Sequence, residues 1–147
     1  MKISQALRLG AKTGKQLFND AFDNGGGTCA YWAIRKGFDL GNDADGKLVF
    51  DLQHYRLIYC PVKGCQLPYT NGGGEKTPTL MPWSPNRLGD VIVHLNNDHK
   101  WTRECIAGWI EVAIEGGIPS KEIMELVGEP EKTRELVCVR PHPSVKS

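Results

Sequence analysis

No apolar run in the chain approaches the ~18–20 residues of a membrane span, so no membrane partner is expected. Charge of one sign is also lacking. Lys and Arg number 18 against 17 Asp and Glu, a formal net charge of +1, which gives no general field to attract nucleic acid or an acidic surface. The two Asn-Gly-Gly-Gly tracts, ending at Gly27 and Gly74, lack the Lys-Ser/Thr that completes a phosphate loop. The deaminase pattern, His-x-Glu with Pro-Cys-x-x-Cys, is absent. Asp43-Ala44-Asp45-Gly46 resembles part of a calcium loop, but the first ligand would be Gly41 and the twelfth Leu52, so it fails. The segment Met1–Gln5 has no hydrophobic core of a signal peptide, which places the expectation in the cytoplasm. In that compartment five cysteines, an odd number, read as metal ligands or buried thiols rather than disulfides.

What is present is a ligand pattern. Cys60 and Cys65 form Cys-x4-Cys, and after 28 residues His94 and His99 form His-x4-His. Zinc in structural sites takes four such ligands in a tetrahedron. Tyr59-Cys60-Pro61-Val62-Lys63-Gly64-Cys65 reads as a knuckle turning through Pro and Gly. Val91–His94 reads as a strand running into a turn that returns His99 to the same point. The expected cofactor is one structural Zn2+ held by these four residues.

The 147 residues are expected to form one domain. Ser4 can cap a first helix, and Leu17, Phe18, Ala21 and Phe22 have the spacing of a buried helical stripe. Thr28 can cap a third helix, Cys29 to Lys36, ended by Gly37. Residues 39–46 read as a turn, and Leu48–Leu52, Tyr55–Cys60, Asp90–Leu95 and Leu136–Val139 as strands. Residues 66–86 read as a long Pro/Gly loop, whose Tyr69, Met81 and Trp83 are candidate anchors for a partner. Thr102 caps the strongest helix, with Cys105, Ile106, Trp109, Ile110, Ala113 and Ile114 on one face; Pro119-Ser120 opens another, to Val127. The expected fold class is α+β, helices packed on a small antiparallel sheet with a zinc-knuckle-like site.

Two segments carry a resemblance. Ile3–Ala11 with Gly26-Gly27-Thr28-Cys29-Ala30 is one; His94-Leu95-Asn96-Asn97-Asp98-His99-Lys100-Trp101-Thr102-Arg103-Glu104-Cys105-Ile106-Ala107-Gly108-Trp109 is the other. They resemble the signatures of a group of small uncharacterised bacterial and phage proteins, roughly His-Leu-Asn-Asp, a spacer, Trp-Ser/Thr-Arg-Glu-x-Ile-Ala-x-Trp. Some members of the group also carry a Cys-Pro knuckle, where Cys60-Pro61 stands here. Asn97 departs where Asp is usual, and Cys105 where a polar residue is commoner. The resemblance covers about a third of the chain; it implies a shared fold and no particular activity. Physically, Trp101 would staple the first turn of the following helix, and Glu104 would face the positive end of its dipole.

Three other chemistries use these residues. An open catalytic zinc would keep Cys60, Cys65 and His94 and use Asp98 or Glu104 as base. A papain-like thiol hydrolase would pair Cys29, at a helix start, with His94 and Asn96, and take oxyanion donors from glycines 25–27. A helix-turn-helix over residues 102–127 has the right small-residue spacing, yet Glu122 and Glu125 on its second helix would repel phosphate. His54 and His142 have no partner in the pattern and read as surface residues. The expectation is a small zinc-binding accessory protein that binds a protein partner of undetermined identity rather than catalysing a reaction.

Overall fold

A computed structural model describes residues 1–51, 58–62, 65, 67, 69–70, 76–77 and 87–116. Helix α1 (Ile3–Ala11) buries Ile3, Ala6, Leu7 and Gly10, the i, i+3, i+4, i+7 stripe of an amphipathic helix. It begins one residue before the expected cap. Ser4 therefore lies in the first turn, where the distant Glu115 carboxylate accepts from its backbone N–H at 2.8 Å and its hydroxyl at 2.5 Å. That carboxylate satisfies donors which the helix itself cannot, at the positive end of its dipole.

Helix α2 (Ala30–Leu40) runs past Gly37, its expected end, and stops at Gly41. Gly37 has a packing role instead. A Cβ added there would overlap the Ala6 carbonyl of α1, and one added at Gly10 would overlap the Ala33 carbonyl of α2. The two helices thus meet backbone to backbone at a reciprocal pair of glycines, and only a residue without Cβ fits.

Between α1 and α2 the expected helical stripe is not formed. Residues 12–29 wind through turns tied by Leu17 N–H to the Thr28 carbonyl and Cys29 N–H to the Ala21 carbonyl, both 3.0 Å. Phe18 and Phe22 are 40% and 61% exposed. The apolar spacing there was short, and Asn19, with φ of 73°, stands in the left-handed region, outside helical geometry.

Two expected strands are helices. Ala44–Asp51 forms α3, with Asp43 Oδ1 accepting from Gly46 N–H at 2.9 Å as an N-cap does. Leu88–Asn97 forms α4, in which Val91, Ile92, His94, Leu95, Asn96 and Asn97 are all buried. A helix covered on most sides shows no 3.6-residue alternation, so its Val-Ile-Val run looked like a strand. Tertiary burial outweighs the weak helix propensity of those β-branched residues.

The α+β expectation is corrected accordingly. The fold is helical among the described residues. The only ladder among the described residues is a two-residue antiparallel contact between Tyr69–Thr70 and Lys76–Thr77, with isolated bridges at Thr28, too little to form a sheet layer. Thr102 caps α5 (Arg103–Trp109) as expected, its hydroxyl accepting from Cys105 N–H at 3.1 Å. The helix continues as a π-helical turn through Ile110–Glu115, the wider register that carries Glu115 to Ser4.

Leu7, Ile34, Phe38, Leu95, Ile106, Trp109 and Ile110 lie in one buried cluster shared by these helices. Cys105 is disulfide-bonded, contrary to the expectation of reduced thiols. No helix among the described residues is long and apolar enough to cross a membrane. The expected 120–127 helix and Leu136–Val139 strand, most of the Tyr55–Cys60 strand, and Met81, Trp83, His54 and His142 lie outside the described residues.

Candidate metal centre

Helix α4 places His94 in its last turn with no measurable exposure. Asp98 ends that helix, and Lys100 then enters the left-handed region at φ 57°. This reversal, with Trp101 N–H donating to the Leu95 carbonyl at 3.0 Å, folds the chain back. His99 is thereby turned toward His94, their rings meeting edge to face at 4.6 Å. The knuckle supplies the other pair, with Cys65 N–H donating to the Val62 carbonyl at 3.2 Å.

One donor atom from each of Cys60, Cys65, His94 and His99 lies within 4.8 Å of every other, and the four could hold a metal ion. Three sulfur–nitrogen separations are known. Cys65 Sγ stands 3.4 Å from His94 Nε2 and 3.3 Å from His99 Nε2, and Cys60 Sγ stands 3.5 Å from His99 Nε2. Zn–S near 2.3 Å and Zn–N near 2.0–2.1 Å at a tetrahedral angle give an S···N edge of about 3.5 Å. The agreement is close. His99 Nε2 also faces two sulfurs at once, more than one proton between nitrogen and sulfur can satisfy, whereas one central cation satisfies all.

The imidazole of His94 is held from behind. Its Nδ1 lies 2.7 Å from Asp98 Oδ2, with both side chains buried. A proton on Nδ1 donated to that carboxylate leaves Nε2 free to face the sulfurs. Tyr69 stacks on the same ring at 3.8 Å and 9°. Its expected role as an exposed anchor is corrected: it is fully buried and forms a wall of the centre.

Electrostatics at the centre divide the two thiols. Burial pushes the Cys60 thiol well above its ordinary range, and Cys65 adds to that. The Cys65 thiol is pulled down to about 3, first by its hydrogen bond with Cys60, then, against burial, by His94 and His99. Burial works against the charge on His94, yet Asp98 and Cys65 outweigh it and raise its pKa. The centre thus favours a thiolate at Cys65 over one at Cys60. A divalent cation would take the place of the mobile protons.

Arg103 and Asn96, from the second signature, belong to a polar network beside the centre that no local sequence pattern announces. Asn96 Oδ1 accepts from Ala30 N–H at 3.0 Å and from Gln16 Nε2 at 2.7 Å, and its amide donates to the Leu17 carbonyl at 2.9 Å. Arg103 donates to Thr28 Oγ1 at 3.0 Å and to the Gly14 carbonyl at 2.6 Å. These residues pin the 12–29 segment onto α4 and α5.

The same network separates Cys29 from the hydrolase constellation. Both ring nitrogens of His94 are engaged, by Cys65 and by Asp98. The glycine N–H groups are consumed by Asp23. Gly25 and Gly27 donate to its Oδ1 at 3.1 and 2.8 Å, and Gly26 to its carbonyl at 3.2 Å. Burial also raises the Cys29 thiol pKa, the reverse of what a nucleophile needs. Compared with known proteins, the chain matches no family model, no curated protein and no solved structure.

Proposed function

We propose that Cys60, Cys65, His94 and His99 bind one structural zinc ion, and that the chain works as a small zinc-stapled accessory protein which binds a protein partner. The observation that carries the zinc reading is the convergence of two sulfurs and two imidazole nitrogens with S···N separations of 3.3–3.5 Å. Two thiolates neutralise a divalent cation, so the buried centre carries little net charge, which keeps its desolvation cost low.

Support for a closed site rather than a catalytic one comes from the neighbours. His99 points into the cluster as a fourth donor, which leaves no position for a metal-bound water. The two bases considered for catalysis are engaged: Asp98 with His94, and Glu104 with Arg8 at 2.9 Å. When bound, the ion supplies cross-linking, joining the knuckle to the end of α4. Membership of the bacterial and phage group belongs to this same reading, supported by the residues of the second signature that build the corner at His94–Trp109.

Elemental mass spectrometry on protein purified without added metal tests the proposal. One zinc per chain, lost or weakened in His99→Ala, is the expected result. One zinc held unchanged without His99 would point to an open coordination position, and absence of zinc would sink the reading.

A further inference from the structure

A second site lies away from the metal centre, between the glycine turn and the outer side of α2. It is a cavity of about 290 Å3, at the small end for ligand sites, bordered by Phe22, Gly26, Trp32, Arg35, Lys36 and Lys47. The rings come first. Phe22 is 61% exposed and meets Trp32 edge to face at 5.1 Å, so most of its surface is open to solvent beside a second aromatic ring. A bulky apolar ring fixed on the surface beside a cavity is a stacking platform.

The cations come next. Arg35 lies over the Trp32 ring, its Cζ 4.3 Å from the centroid, which fixes the guanidinium plane. Its Nε is buried and lies 3.2 Å from Asp51 Oδ1 in an ion pair, so only the outer part of the guanidinium can reach a ligand. Lys36 stands over Gly26, its Nζ 3.9 Å from where a Cβ would be, and has no ion pair among the described residues. Lys47 pairs with Asp39 at 3.0 Å, a solvent-exposed pair of little energetic weight. Asp23 also lines the cavity, but its Oδ1 is occupied by the glycine turn. Arg35 and Lys47 are each balanced by a carboxylate, Asp51 and Asp39, which leaves Lys36 as the lining cation without an ion pair among the described residues.

We infer that this cavity binds a mononucleotide, its base stacked on Phe22 and its phosphate held by Lys36 and Arg35. A flat π-face with adjacent ammonium and guanidinium donors is the combination that nucleotides fit, and it carries no base-specific hydrogen-bond pattern. The inference does not rest on the metal centre. Free nucleotides and the end of a single strand offer the same chemistry, and the cavity volume favours the free form.

Calorimetric titration of the full chain with adenosine 5′-monophosphate, adenosine, inorganic phosphate and a ten-nucleotide single strand tests it. The expected result is one saturable site for the monophosphate, with adenosine and phosphate each about tenfold weaker or more. Lys36→Ala should weaken the monophosphate about tenfold and leave adenosine unchanged, while Phe22→Ala should weaken both. Both side chains lie at the surface, and an unchanged circular dichroism spectrum checks the fold of each variant. No saturable monophosphate binding, or phosphate alone binding as tightly, would overturn the proposal. A single strand bound more than about tenfold tighter than the mononucleotide would overturn it in favour of strand binding.

Discussion

At the scale of single residues, Asp98 is the one whose role the structure redefines. The sequence offered it as a possible catalytic base; its carboxylate instead lies 2.7 Å from His94 Nδ1 and aims the imidazole. Loss of such an orienting carboxylate typically weakens metal affinity 10–100-fold. Asp98→Ala should therefore lower zinc affinity by about that factor in a chelator competition. Asp98→Asn, which keeps an acceptor but not the charge, should fall between. An unchanged affinity in Asp98→Ala would show that His94 needs no support. Cys29 gives the opposite kind of prediction. Burial raises its pKa, so the folded chain keeps the proton after the unfolded chain has lost it. The stability this represents is present below the unfolded value, about 8.5, and is lost as pH rises through the higher folded value. Iodoacetamide at pH 7.5, with the modified peptide identified by mass spectrometry, should leave Cys29 unlabelled in folded protein. Labelling as fast as in urea would contradict the buried, protonated thiol. The four candidate metal ligands were legible because chemistry restricts which residues can serve. Gln16 and Arg103 were not, because hydrogen bonds reaching 75 to 89 positions along the chain leave no local pattern.

At the scale of elements, the contact between α1 and α2 sets a test in which two effects have opposite signs. Gly37→Ala in a helix interior should gain about 1 kcal/mol of helix propensity. Against that, the new Cβ would overlap the Ala6 carbonyl, a backbone atom that no rotamer change can move aside. Overpacking of this kind costs about 1–3 kcal/mol or more, so a net loss is expected. Urea unfolding would measure it, and a stabilised Gly37→Ala would refute the backbone-to-backbone contact. The elements also show what made a segment readable. Helices α1 and α2 each bury one stripe, whereas α5 buries all but Glu104 and was announced by its Thr102 cap and the apolar residues that follow it. Helix α4 buries nearly everything and carries Asn96 and Asn97 inward, so its sequence matched a strand equally well. The short α3 buries only Phe50 while Leu48 and Val49 remain largely exposed, so periodicity could not identify it; the Asp43 cap was its one local sign.

At the scale of the whole molecule, the question is how much of the fold depends on the metal. Zinc in finger peptides supplies about 10–16 kcal/mol of apparent binding free energy, more than the 5–15 kcal/mol net stability of an ordinary domain. Those peptides have no other core, whereas this chain does. The Gly10–Gly37 contact, the Glu115 cap on α1 and the clasp of Arg103 on Gly14 and Thr28 involve none of the four ligands. Helix α4 is anchored twice, through Asn96 to the 12–30 segment and through His94 to the knuckle, and only the second anchor would depend on the proposed ion. Among the described residues in and beside the knuckle, Cys60, Val62 and Tyr69 pack into the shared core, with Ile58 and Cys65 partly buried against it. Removing the metal with a strong chelator, or by Cys60→Ser, should therefore act unevenly. The melting temperature should fall by at least about 10 °C, since each kcal/mol moves a domain of this size by roughly 2–8 °C. Far-UV circular dichroism at low temperature should keep most of its helical signal. Amide exchange should accelerate at Cys60, Cys65 and Tyr69 and stay slow at Ile34 and Ile106. Complete loss of helix on chelation would mean that the ion organises the whole fold. An unchanged melting temperature would mean that the four side chains converge without an ion to hold them, and the staple would have to be abandoned.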